Sequence, residues 1–191
     1  MIRQKLIFIT IFVSKIILGQ TNDSLKKEML EEIKMTVVET IYEYKGTELP
    51  GFQLPLLNGE ELDSESLKGK PTVILFWTSY CQPCMDKIHL LNNIKSQFGN
   101  EVNFISITSL NKNEVNEFLK TTKFDFTHAI ESEGYLDVFG FLGYPKTLIL
   151  DKNLTLIEIE KKVPMDYGNE EQNKADFIKR VSDLLAKLKK D

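Results

Sequence analysis

The run Phe76-Trp77-Thr78-Ser79-Tyr80-Cys81-Gln82-Pro83-Cys84 holds the only two cysteines of this 191-residue chain. Two thiols at this spacing can staple the fold, hold a metal or exchange electrons. As a staple the pair is weak, because a disulfide across so small a loop removes little entropy from the unfolded chain. A zinc site takes four ligands, often from a second pair. The chain adds only His89 and His128, neither at a zinc-ligand spacing from the thiols, so no metal is expected. Dithiol–disulfide exchange needs nothing further, and the expected redox group is a Cys81–Cys84 disulfide with no other cofactor.

The exchange chemistry requires one thiol to be acidic and accessible and the other to wait behind it. A helix starting at Cys81 supplies this asymmetry. Unpartnered amides and the helix dipole favour an anion at a helix N-terminus, which lowers a thiol pKa from its free value of about 8.5. Pro83 suits the first helical turn, since it has no N–H to lose. Cys84 falls on the side of the apolar stripe Met85, Ile88, Leu91, Ile94 and Phe98. Cys81 is therefore expected to attack and Cys84 to resolve.

These residues need a rigid platform. Val73-Ile74-Leu75-Phe76-Trp77 is near-continuously apolar, as central strands covered on both faces are. Further strands are expected over 102–108, 124–130, 147–150 and 154–159, with a turn at Asp151-Lys152-Asn153. Helices are expected over 113–121 and 135–139, and in a last segment that places Phe177, Val181, Leu184 and Leu188 on one face. Upstream, Asn58-Gly59 marks a hairpin, and Ser64 to Lys68 a helical turn stopped by Gly69. The pattern predicts an α/β fold, a central mixed sheet flanked by helices. Before it, Leu25, Met29, Ile33, Val37, Ile41 and Tyr44 form one helical stripe.

At this point a resemblance becomes specific. Trp77, Tyr80, Cys81, Pro83 and Cys84 resemble the active site of the thioredoxin-like fold. The longer run resembles the TlpA/ResA-type exported thiol–disulfide oxidoreductases. It includes Pro50-Gly51-Phe52, Asn58-Gly59-Glu60 and Leu67-Lys68-Gly69-Lys70-Pro71, and it covers roughly residues 46 to 188. Gly143-Tyr144-Pro145 is similar to the cis-proline element of that family. The resemblance implies that Pro145 faces the cysteines and that the Tyr144 backbone pairs with an extended substrate, as a sheet edge does. It also implies that Trp77, Tyr80, Gln82 and Pro83 shape the substrate-binding rim. Three positions depart from the pattern: Leu75 and Lys87 stand where the family often has a polar or acidic group, and His89 where it commonly has a proline. A water or a more remote acid would then have to take the Cys84 proton; Asp86, expected to point outward, and His89, expected on the helix surface, are the candidate side chains. Lys87 is expected on the solvated surface, the alternative being a lysine that stabilises a thiolate through space.

Arg3 and Lys5 precede the apolar stretch Leu6 to Val13, and Ile16-Ile17-Leu18-Gly19 follows. A basic head and a short apolar run read as a secretory signal, too short to span a bilayer; an uncleaved anchor or a buried strand is the alternative. The expected division is a signal over 1–19, a helical extension over 20–45 and a thioredoxin-like domain over 46–191. Removal of 1–19 takes Arg3, Lys5 and Lys15, which moves the net charge from −4 to −7. That surface repels nucleic acid. Export is expected, to the periplasm or beyond, where disulfides persist.

The expected activity is reduction of disulfides in exported proteins, reset by a membrane thiol protein as electron donor. Two other classes compete. A thiol peroxidase would need a proline where Ile74 stands, seven residues before Cys81. A binding module without catalysis is the other, kept open by Leu75 and Lys87.

Overall fold

The apolar run after Pro71 becomes the middle strand of a five-stranded sheet. In the computed structural model, residues 41–140, 143–160 and 169–190 are described, all within the compact unit Thr40–Asp191. The signal-like segment and nearly all of the upstream helical stripe lie outside the described residues.

A short hairpin comes first, β1 (Gln53–Pro55) against β2 (Glu61–Asp63), followed by a 3-10 turn over Ser64–Leu67. Gly59 sits at its tip with φ 91°, a conformation that costs any other L-residue more. Then follow β3 (Thr72–Phe76), α1 (Gln82–Phe98), β4 (Asn103–Ile107), α2 (Lys112–Thr121), β5 (Thr127–Ala129) and α3 (Glu133–Asp137). The chain closes with β6 (Lys146–Leu150), β7 (Leu156–Glu160) and α4 (Glu170–Leu188). The sheet order is β5-β4-β3-β6-β7. β3 pairs in parallel with β4 and antiparallel with β6, so the sheet is mixed. Parallel neighbours cannot be joined by a tight turn; α1 makes the crossover from β3 to β4, and α2 the crossover from β4 to β5.

Every residue of β3 is buried, and its side chains alternate between two cores. Val73 and Leu75 join the core that takes in α1 and α4, through Ile88, Leu91, Phe177 and Val181. Ile74 and Phe76 join the core under the hairpin and α3, with Leu54, Leu62, Tyr135 and Phe139. Ile41 already belongs to this second core. The hydrophobic covering of both faces is what makes β3 read as unbroken apolar sequence.

Three local differences from the sequence reading have simple causes. Trp77 is buried but lies beyond the end of β3, because β3 pairs in register with β4 only from Thr72↔Asn103 to Phe76↔Ile107. Of the segment 124–130, only Thr127–Ala129 pairs, and Phe124 and Phe126 are buried by ring packing instead. In α4 the buried residues are Phe177, Val181, Leu185 and Leu188, so the stripe turns by one position from Leu184. α2 begins with a reciprocal cap, in which the Asn111 side chain accepts from the backbone of Asn113 and Glu114 and the Glu114 side chain accepts from Asn111 N–H.

Candidate active site

Cys81 is the N-cap of α1, with extended backbone at φ −106° and ψ 97°, and Pro83 lies in the first turn. The Cys84 N–H donates to the Cys81 carbonyl at 2.9 Å. The helix therefore begins where the sequence places it, and the Cys81 sulfur sits at the positive end of a helix of 17 residues. That is the placement that stabilises a thiolate. The two sulfurs are bonded, with S–S 2.08 Å and Cα–Cα 5.2 Å.

Burial separates the two roles. Cys81 is partly exposed. Cys84 has no exposed surface and is packed in the core with Trp77, Ile88 and Leu91. An incoming sulfur can reach only Cys81, and Cys84 can reach that sulfur only from behind.

The rim is uneven. Tyr80 is 88% exposed, and Gln82 and Pro83 are also exposed. Tyr144 is half-buried, and burial pushes its phenol pKa up. Pro145 is buried, and the Tyr144–Pro145 bond is cis. The pairing of Phe76 with Lys146 ends β3 and starts β6 at one end of these strands. Pro145 and Trp77 are the next residues beyond that pair, so the proline and the cysteine loop share one end of the sheet.

Trp77 is not part of the rim. It has no exposed surface, and its ring packs 4.6 Å from Phe118 and 5.3 Å from Phe124 between centroids. It supports the loop from below, and its indole N–H has no hydrogen-bond partner among the described residues.

Lys87 is the largest departure from expectation. It is wholly buried, not solvated. Its ammonium nitrogen lies 4.2 Å from the centre of the Phe177 ring. Burial pulls its pKa down to about 7, against the opposing attraction of Glu160. The sequence did carry a signal for this. Cys84, Lys87, Ile88, Leu91 and Ile94 follow one another at helical spacing, so Lys87 lies on the apolar stripe. Asp86 is partly exposed and His89 is exposed.

Ile74, the position where a thiol peroxidase needs proline, is the central residue of β3. It is paired on both sides, with Ile105 and Leu148. A proline there could not donate to the ladder.

An open groove of about 390 Å³ is lined by Leu56, Leu57, Asn58, Phe126, Thr127 and His128. It runs beside the edge strand β5 and includes none of the cysteine-site residues.

With this geometry in hand, comparison with known proteins is informative. Residues 45–159 match the model of the AhpC/TSA family. The chain belongs to that family. It is 26% identical over 136 residues to the thioredoxin-like protein YneN of Bacillus subtilis, covering 64% of this chain and 80% of YneN. It is 25% identical over 118 residues to the thiol–disulfide oxidoreductase ResA of Bacillus thuringiensis, covering 59% of this chain and 67% of ResA. The thioredoxin domain of a thiol–disulfide oxidoreductase from Bacteroides vulgatus superposes with a TM-score of 0.60 at 13% identity, over 72% of this chain and 97% of that one. The fold is thioredoxin-like. Together with the bonded Cys81–Cys84 pair, these relationships make the protein a thiol–disulfide oxidoreductase.

Proposed function

We propose that the protein works outside the cytoplasm as a reductase of disulfides in exported proteins. The observation that carries this reading is the unequal burial of two bonded sulfurs, one at a helix N-terminus and partly exposed, the other enclosed. In the dithiol form the Cys81 thiolate attacks one sulfur of a substrate disulfide, and the other substrate sulfur leaves as a thiolate. Cys84, once deprotonated, attacks the Cys81 sulfur of the mixed disulfide. The bond between Cys81 and the substrate breaks, the second substrate thiolate leaves, and the Cys81–Cys84 disulfide remains. A membrane protein bearing its own thiols returns two electrons and resets the pair.

Tyr80, Gln82 and Pro83 form the exposed surface around Cys81 that a substrate meets first, and the Tyr144 backbone offers an edge to an extended segment. The basic head and apolar run of residues 1–19 support export, as does use of a disulfide in an oxidising compartment. The direction is that of the resemblance to exported reductases.

Two variants test the reading. The dithiol protein is expected to reduce insulin or a model disulfide peptide, and Cys81→Ser to abolish the reaction. Cys84→Ser is expected to accumulate substrates joined to Cys81, which gel shift and mass spectrometry identify. Full reductase activity in Cys81→Ser would reject the assignment.

A further inference from the structure

The exchange cycle leaves one requirement unmet. Cys84 is enclosed by apolar side chains, which hold a thiol pKa up, yet it must lose its proton before it can attack. The family's usual polar group is absent at Leu75, which is buried and apolar. His89 faces solvent, and Asp86 is partly exposed on the flank of the helix.

One basic group does share the buried face of α1 with Cys84. Lys87 lies one turn further on, and both side chains are fully buried. Residues three apart on a helix have Cβ atoms roughly 5–6 Å from one another. The Lys87 nitrogen is held over the Phe177 ring, and Phe177 belongs to the same core as Cys84. A second polar atom lies on this face of the sheet. Thr147 pairs in register with Leu75 on one side and with Glu160 on the other. Its hydroxyl is buried and has no hydrogen-bond partner among the described residues. Glu160 in turn is held by Arg180 through two bonds, 2.8 Å to Nε and 2.7 Å to Nη2. Thr147 and Glu160 thus bring polar groups to the side of the sheet whose core holds Cys84.

We infer that Lys87 is the proton acceptor for Cys84: its neutral amine takes the thiol proton in the resolving step and returns it when the disulfide is reduced. This rests on the oxidoreductase reading above. In the forward step Cys84–SH and Lys87–NH₂ become Cys84–S⁻ and Lys87–NH₃⁺. The thiolate then attacks the Cys81 sulfur, and the departing substrate thiolate takes a proton from solvent. In the reset step a donor thiolate attacks Cys81, Cys84 leaves as a thiolate, and the Lys87 ammonium protonates it. Net charge on the pair is zero before and after the proton moves; once the disulfide closes, the ammonium keeps its charge, favoured by Glu160, until the reset step returns the proton. Glu160 on β7 favours the ammonium, while Arg180 on α4 and Lys146 on β6 favour the amine. With the disulfide closed the balance is about 7, in the neutral range where an ordinary lysine would be fully protonated.

Rapid acid quench of the full-length dithiol protein after mixing with a disulfide peptide, followed by intact mass, counts the mixed disulfide as it forms and decays. In the wild-type protein its decay is expected to quicken with pH through a step near pH 7. In Lys87→Met, formation should stay within about two-fold, while decay at pH 7 slows by roughly 10²-fold, the scale of general-base catalysis. The step near pH 7 should vanish, and the rate should climb only towards the thiol range. Lys87→Arg keeps the positive charge but cannot give up its proton, so it too should lose the step. Decay in Lys87→Met with the wild-type rate and pH profile, or an intact step in Lys87→Arg, would overturn the assignment and leave the oxidoreductase reading standing. A wild-type protein that forms no mixed disulfide would overturn both. The lysine Cε resonances of the labelled wild-type protein give a readout that needs no variant to fold. One lysine should titrate near pH 7 and shift on reduction of the disulfide; if every lysine titrates near 10.4 in both states, the inference fails.

Discussion

The two faces of the central sheet are buried to a similar depth and built from different materials. On the face under the hairpin, Phe52, Phe76, Tyr135 and Phe139 pack ring to ring, with centroids 4.9 to 6.5 Å apart. The one polar tip in that cluster is satisfied, since the Tyr135 hydroxyl donates to the Pro50 carbonyl at 3.1 Å. Burial pushes that phenol's pKa upward, so it stays neutral. On the face under α1 and α4, the buried set includes Cys84, Lys87, Trp77 and Thr147. Two of its polar atoms, the Trp77 indole nitrogen and the Thr147 hydroxyl, have no partner among the described residues. A buried polar group without a partner costs about 1–3 kcal/mol. A core that carries such costs beside a reactive disulfide, opposite one built from packed rings, divides chemistry from stability. The face under the hairpin holds the sheet together, and the face under α1 holds the sulfur chemistry.

The division is broken most directly from the aromatic side. Phe139 is fully buried against Phe76, Tyr135 and Tyr44. Phe139→Ala should destabilise the protein by about 3–5 kcal/mol, read as a lower midpoint in urea. The rate of Cys81 alkylation and the decay of the mixed disulfide should stay within about two-fold in the folded protein. A thiol reactivity that changes in step with stability would show the two faces to be one unit.

The opposite face offers the converse experiment. A lysine whose pKa is about 7 when folded and near 10.4 when unfolded makes stability depend on pH with a definite sign. Above about pH 10.5 both states are neutral at this position, and the lysine costs nothing. As pH falls from there to about 7, the unfolded chain binds a proton that the folded protein refuses, so stability falls. Below about 7 both states are protonated and the full penalty remains. Lys87→Met should remove this slope and raise stability at pH 7 by roughly 3 kcal/mol, less than the pKa depression alone implies because the contact with the Phe177 ring is altered too. Urea midpoints of both proteins between pH 6.5 and 10 measure it. Parallel curves would mean that Lys87 is not held neutral, and that this face is as passive as the other. Greater stability with slower resolution is the trade expected of a residue kept for chemistry.

How much of this was legible in the sequence follows the same divide. The sheet was readable because β3 is covered on both sides, which leaves an apolar run that no surface strand shows. Cys81 and Pro83 revealed the start of α1, because capping and first-turn preferences are local. The position of Lys87 was within reach, since helical spacing alone puts it on the stripe with Cys84 and Ile88. What hid it was the strong prior that lysine is exposed. Trp77 was misplaced to the rim because an aromatic beside a redox pair reads equally well as wall or floor; its burial depends on Phe118 and Phe124, which lie far along the chain. His128 was legible as a residue but not as a satisfied one. Its Nδ1 lies 2.7 Å from the Ser106 hydroxyl on the neighbouring strand, and its Nε2 3.0 Å from the carbonyl of Phe124, four residues back. Nε2–H therefore donates to the carbonyl and Nδ1 accepts from the serine. This histidine is fully bonded into the fold, whereas Lys87 is one turn along α1 from Cys84, over the Phe177 ring.

The smallest effect probes how the chemical face is tuned. Arg180 is largely exposed, at 57% of its side chain, whereas its partner Glu160 is at 12%. Arg180→Gln should change stability by less than about 1 kcal/mol, since an exposed ion pair contributes little. Its effect on Lys87 should be easier to see. Arg180 disfavours the Lys87 ammonium directly, and it also holds the carboxylate that favours it. Removing the arginine deletes the like charge and frees Glu160 from its strongest partner. Both changes favour the ammonium, so the step in the resolution profile should move to higher pH, and resolution at pH 7 should slow modestly. The pH profile of mixed-disulfide decay in this variant measures the shift. A step displaced to lower pH would mean that Glu160 favours the Lys87 ammonium only while Arg180 orients it, and the arginine would then be the group that aims this carboxylate inward.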